Sequence, residues 1–84
     1  MDDYCIKGFI TNLGKYVEGE LIGEWISFPI TKKELKKVLD KIGINEYYEE
    51  YFITDYDGNY PSSVYDLLGE YTSIKTLNKI ALAL

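Results

Sequence analysis

Apolar and polar residues alternate at the start of the chain. From Tyr4 to Asn12 (YCIKGFITN), Ile6 and Ile10 fall on one side of an extended backbone and Cys5 and Phe9 on the other, which predicts a β-strand. A Gly-containing connection over Leu13 to Gly19 leads to a second β-rich run, Glu20 to Phe28 (ELIGEWISF). The short separation predicts an antiparallel hairpin with a longer loop. Pro29 ends the second strand, because proline has no N–H to give to a ladder.

The period then changes from two to three and four. Leu35, Val38, Leu39 and Ile42 recur at helical spacing, so one side of a helix is apolar. Thr31 stands at its N-cap with Glu34 three residues on, the pattern of a capping box, and Gly43 is placed to end it in a left-handed conformation. Alternation returns in Glu49 to Tyr56 (EEYFITDY), a third strand, followed by a turn at Asp57-Gly58-Asn59. Beyond Pro61 the spacing is helical again. Ser62 or Ser63 could cap a short helix through Leu68, and Thr72 or Ser73 a last one carrying Ile74, Leu77, Ile80 and Ala81. The pattern predicts an α+β fold: a small three-stranded antiparallel sheet with one packed helix in the order β-β-α-β, then short C-terminal helices. Residues 1–60 would form the sheet-plus-helix domain. Residues 61–84 would be a helical extension packed on it or the start of a second, helical domain. The apolar pattern runs on to Leu84, which suits a helix folded back on the sheet, a longer protein or an oligomer.

Charge changes this picture more than composition does. The net charge of −5 comes from 14 acids and 9 basic residues, all of the latter lysine. Five of those lysines, Lys32, Lys33, Lys36, Lys37 and Lys41, lie mostly around the polar side of the predicted helix. Residues 42–74 hold seven acids and no cation. The same stretch holds seven tyrosines, at 47, 48, 51, 56, 60, 65 and 71. A long segment of one charge sign projects a field instead of pairing locally; it repels nucleic acid and attracts what binds nucleic acid. Tyr51 and Tyr56 suit the core or its edge. Tyr47, Tyr48, Tyr60 and Tyr71 suit a protein interface, where tyrosine supplies contact area at low entropy cost. The lysines read as a solvated helix back, or as a face toward an acidic partner or a second copy.

Few catalytic chemistries remain open. The chain has no histidine and no arginine, so the usual general base, imidazole ligand and bidentate phosphate clamp are missing. Cys5 is the single cysteine, which rules out an internal disulfide; a small buried side chain near the start of the first strand is expected. Asp55 to Asn59 begins like a calcium loop, but its glycine falls at position four instead of six and a turn explains it better. No enzyme activity, cofactor or metal is expected. The acidic N-terminus lacks a secretory flank and no apolar run approaches a membrane span, so the expected location is cytoplasmic, without membrane contact.

Several segments, read in order, resemble the N-terminal part of the antirestriction protein ArdA family. They are Thr11-Asn12-Leu13-Gly14-Lys15-Tyr16, Glu18-Gly19-Glu20-Leu21, Gly23-Glu24-Trp25, Pro29, and Glu49 to Tyr56, followed by Tyr71-Thr72-Ser73-Ile74 and Leu77-Asn78. The resemblance implies a protein of a bacterial host cell or mobile element that mimics B-form DNA. Such a protein occupies the DNA site of Type I restriction–modification enzymes and binds no nucleic acid itself. It also implies a short version without the family's C-terminal part, in a family whose members are usually homodimers. The basic helix from Thr31 to Ile42 departs from what a mimic would favour. A CRISPR effector nuclease is the alternative target, and a non-mimic assembly module the alternative role.

The carboxylates expected to form the partner-binding, phosphate-like surface are Glu18, Glu20, Glu24, Glu46, Glu49, Glu50, Asp55, Asp57, Asp66 and Glu70. Asp55 and Asp57 would share one side of the third strand if it extends that far. Glu46, Glu49 and Glu50 would lie close together if their segment is helical or tightly turned. A compact domain of this length measures on the order of 30 Å, over which duplex DNA carries roughly 18 phosphates. Fourteen carboxylates with a net charge of −5 permit only a partial mimic.

Overall fold

A computed structural model describes residues 4–84; the acidic start at residues 1–3 lies outside the described residues. Three antiparallel strands, β1 (Cys5–Asn12), β2 (Gly23–Phe28) and β3 (Tyr51–Asn59), form one sheet in the order β2-β1-β3. Ile6 pairs with Phe28 and Gly8 with Ile26 on one side of β1; on the other, Gly8 pairs with Tyr56 and Ile10 with Ile53. Residues directly opposite across a ladder share a sheet face. Ile6, Ile10, Ile26, Phe28 and Ile53 therefore line one face, and all five are buried. Two helices cover it, α2 (Lys32–Lys41) through Leu35, Val38 and Leu39, and α3 (Ile74–Ala83) through Leu77, Ile80 and Ala81. Val64 of a 3-10 helix, Ser62–Leu67, fills the same core.

The α+β class and the three-stranded sheet agree with the sequence pattern. So does α2. Thr31 Oγ1 accepts the Glu34 N–H at 3.1 Å and donates to the Glu34 carboxylate at 2.9 Å. At the other end Gly43 takes a φ of +84°. The Ile44 N–H then reaches the Leu39 carbonyl at 2.9 Å and the Gly43 N–H the Asp40 carbonyl at 3.2 Å, the paired bonds of a Schellman terminus. Ser73 caps α3 by accepting the Thr76 N–H at 3.1 Å.

Five local expectations are corrected. Leu13 to Gly19 is not a plain connection: it contains a short helix, α1 (Leu13–Val17), whose N-cap is Asn12. The second strand begins at Gly23, not Glu20. Asp57-Gly58-Asn59 is not a turn; β3 continues through it, with Gly58 opposite Ile6 and Asn59 opposite Cys5. Cys5 is exposed instead of buried, because it alternates with Ile6 and points to the face that the helices leave open. The 3-10 helix also has no side-chain cap, so neither Ser62 nor Ser63 plays the expected role.

One irregularity decides what that open face displays. Phe9 pairs with Asp55 but Ile10 pairs with Ile53, so Thr54 is an extra residue, a β-bulge. In a regular strand Asp55 would share a face with Ile53, the core face. The bulge shifts the alternation, so Ile53 and Tyr56 face the helices while Phe52, Asp55 and Asp57 face away. Thr54 Oγ1 closes the bulge, 2.9 Å from Thr11 Oγ1 and 3.3 Å from the Phe9 carbonyl.

Asn12 is fully buried and uses both ends of its amide. Its Oδ1 accepts the Lys15 N–H at 3.0 Å, and its Nδ2 donates to the Ile42 carbonyl at 3.0 Å. Asn12→Ala should therefore cost about 2–4 kcal/mol, the loss of a helix cap plus a buried unsatisfied carbonyl. Thr31→Ala, which removes an exposed cap, should cost only about 1 kcal/mol. Urea midpoints of the two variants against the parent check both values.

Candidate functional site

The acidic residues are arranged by three local devices. The first is α1, whose C-cap is Glu18. The second is a tight turn at Asn45, whose Oδ1 accepts the Tyr47 and Tyr48 N–H groups at 2.8 and 3.0 Å while its own N–H reaches the Tyr48 carbonyl at 2.8 Å. The third is the approach to β3, held to α1 by a 3.0 Å bond from the Leu13 N–H to the Glu50 carbonyl. Together they bring Glu18, Glu46, Glu49 and Glu50 around one open groove, floored by Leu13, Gly14 and Tyr48. The expected closeness of Glu46, Glu49 and Glu50 is met by a turn, not a helix. Gly14 is needed here: a Cβ at this position would run into the Tyr48 ring.

Tyr48 ties the two walls of the groove. Its hydroxyl lies 2.9 and 3.0 Å from the two Glu18 carboxylate oxygens. Lys15 sits 4.6 Å from the Tyr48 ring centroid, 3.9 Å from Glu18 and 3.7 Å from Glu20. Contact with Tyr48, and then the Glu20 and Glu18 charges, hold the Lys15 ammonium above its ordinary value. Among the described residues, Glu46, Glu49 and Glu50 have no ion-pair partner, so their charge is offered outward. Tyr47 beside them is 90% exposed.

The remaining candidates lie elsewhere. Asp55 and Asp57 occupy the open sheet face, as expected for a strand that reaches them, with Asp57 opposite Lys7. Glu70 and Asp55 border a second hollow, lined by Tyr56, Tyr60 and Tyr65. Asp66 is exposed on the 3-10 helix, away from both hollows. Glu24 lies on the helix-covered side and pairs with Lys41 of α2 at 3.1 Å. The basic helix is thus partly neutralised from within, by Glu24 and by an Asp40–Lys36 pair at 3.4 Å. Among the described residues no cluster of His, Cys, Asp and Glu is arranged to hold a metal ion. Among the described residues no helix is long and apolar enough to cross a membrane.

Sequence reading missed the part of this surface around Trp25. Trp25 is 47% exposed on the open face and meets Phe9 edge-on, with ring centroids 5.3 Å apart. Tyr16 and Leu21 border the depression beside them. The signal was present in the alternation of β2, where Trp25 lies out of phase with the buried Ile26 and Phe28. Phe52, on the same face, is instead covered by Tyr16 at 5.2 Å and Tyr71 at 6.0 Å.

A helix-backed sheet with carboxylates and aromatic rings on its accessible side defines a small acidic α+β domain. The chain belongs to the antirestriction protein (ArdA) family, whose family model matches residues 8–84. No curated protein gives a match. Membership makes it an antirestriction protein, from a family of inhibitors directed at proteins such as restriction enzymes.

The hydroxyl of Tyr56 donates to the Gly69 carbonyl at 2.7 Å, joining the sheet to the C-terminal segment. Burial pushes this phenol above its ordinary value of 10.0, and burial acts the same way on Tyr60. In alkali the unfolded chain would release these protons first, so it binds fewer protons than the folded chain and stability falls as pH rises past 10. Tyr56→Phe should cost about 1 kcal/mol at neutral pH. That deficit should shrink above pH 10, where the parent loses stability and the variant is spared the Tyr56 share. Urea midpoints at the two pH values measure it.

Proposed function

We propose that this protein is a DNA mimic that occupies the DNA-binding site of a Type I restriction–modification enzyme, with carboxylates standing in for phosphates. One observation supports this reading above the others. Glu18, Glu46, Glu49 and Glu50 converge on one groove, and three of the four have no cation beside them among the described residues. A cleft evolved for DNA is lined with lysine and arginine, and a concentrated negative surface is drawn into it by the same long-range field. The inhibitor then needs only to exclude the substrate. It would act in the cytoplasm of the bacterial host, without a cofactor and without contacting nucleic acid.

The mimicry is partial. The longest dimension of the domain is 43 Å, greater than a compact shape suggested. Duplex DNA of that length would carry about 25 phosphates. The 14 carboxylates of the chain, partly paired with its own lysines, fall short of that count. Charge would therefore steer and orient the encounter, while contacts of another kind add to the lifetime of the complex. Residues 61–84 serve in this reading as a packed extension, tied to β3 through Gly69 and Glu70 and to Ile30, between β2 and α2, through Asn78.

The deciding experiment is competition for a labelled duplex bound to a purified Type I methyltransferase core, followed by fluorescence anisotropy. The protein should displace the duplex, and less effectively as salt is raised. Reversing Glu46, Glu49 and Glu50 to Lys, at about 1 kcal/mol for each exposed contact, should weaken displacement on the order of 100-fold. Displacement that is indifferent to salt and to these reversals would sink the phosphate-mimic account. Displacement from a CRISPR effector nuclease alone would transfer it to that target.

A further inference from the structure

The open sheet face holds a second kind of chemistry that carboxylate mimicry does not use. Across the three strands, Trp25, Phe9 and Asp55 stand side by side in register. Trp25 and Phe9 form an edge-on pair, and Leu21, 66% exposed, borders the same depression together with Tyr16 and Thr54. Large exposed apolar side chains gathered in one place mark contact surfaces, and tryptophan is the residue type that most often dominates binding energy there. Nothing in the fold itself needs Trp25 outside: Ile26 and Phe28 of the same strand already supply the core.

We propose that the Trp25–Phe9–Asp55 row is an anchor for an arginine side chain of the partner protein. Two features of the face select this occupant. A guanidinium is the cation that lies flat on an aromatic ring while its N–H groups point outward to a carboxylate. Asp55 supplies that carboxylate one strand away from the aromatic pair, turned to this side by the bulge at Thr54. The anchor is also continuous with the acidic groove. Helix α1 sends Tyr16 to the aromatic depression, while Leu13, Gly14 and Val17 border the groove. A single partner could cover both. The proposal rests on the mimic reading for the identity of that partner, a DNA-binding protein rich in arginine, but not for the chemistry of the anchor.

Trp25 is the only tryptophan of the chain, so its emission reports this face. Titration with hexa-arginine should change that emission at roughly fivefold lower concentration than titration with hexa-lysine of equal charge. Asp55→Asn should remove most of the preference. Equal responses to the two peptides would overturn the guanidinium assignment, and so would no response at all. In the displacement assay with the Type I methyltransferase core, Trp25→Ala should weaken binding on the order of 30-fold. Unlike the glutamate reversals, this loss should persist at high salt. Leu21→Lys, which sets a like charge beside the guanidinium at an exposed position that does not support the core, should weaken binding in the same direction and guards against a folding defect in the Trp25 variant. If both variants bind like the parent, the anchor is wrong although mimicry stands. If the parent fails to displace DNA yet distinguishes the two peptides, the anchor stands and the mimic reading falls. Emission that changes with protein concentration alone would assign the face to a second copy and overturn the proposal.

Discussion

The arrangement of the acidic surface depends on one buried amide. Asn12 ends β1, caps α1 and holds the carbonyl of Ile42, the C-cap of α2, so three elements meet at a single side chain. A carboxylate could not do this, because it has no N–H for Ile42, and an alanine would leave that carbonyl buried and unpaired. With the end of α2 fixed, the Schellman terminus at Gly43 and the turn at Asn45 can return the chain in only a few residues. That return lays Tyr48 on Gly14 and sets the glutamates opposite Glu18. A second amide repeats the device at the other end of the domain. Asn78 of α3 accepts the Ile30 N–H at 2.8 Å and donates to the Ile30 carbonyl at 2.9 Å, holding the last helix to the segment between β2 and α2.

The sheet also organises the charge. Helix α2 carries its lysines on the side turned away from the core, over the covered face of the sheet. Asp55 and Asp57 project from the opposite face. Exposed ion pairs such as Lys36–Asp40 add little to stability. Their effect is to reduce the free positive charge of the helix without removing it. The result is a domain with direction: a positive back and a negative front give an approaching partner a preferred orientation before any contact is made.

Much of this was legible in the residues themselves, and the failures have physical causes. The helix after Thr31 announced itself by spacing, cap and terminator at once, and all three agree with the structure. The strands were readable because Ile6 and Ile10, or Ile26 and Phe28, keep period two. Helix α1 was not, since five residues are too few to show a period and its stability comes from outside it, from Asn12 and from Tyr48 packed on Gly14. Asp57-Gly58-Asn59 has the composition of a turn, but pairing with Cys5 to Lys7 overrides that local preference. For the site, the closeness of Glu46, Glu49 and Glu50 could be anticipated from their separation along the chain. The withdrawal of Glu24 toward Lys41 depends on which face of β2 it takes, and so on register.

The bulge at Thr54 makes the identity of the front face a matter of counting. Every side chain from Asp55 to Asn59 owes its direction to one supernumerary position, not to its own chemistry. Were that position threaded into the ladder as an ordinary one, this half of the strand would turn over, driving two carboxylates toward the isoleucines and lifting Tyr56 out toward solvent. Deleting residue 54 would leave both faces as they are, since Ile53 and Asp55 would then alternate directly, whereas inserting a residue without a second bulge would exchange them.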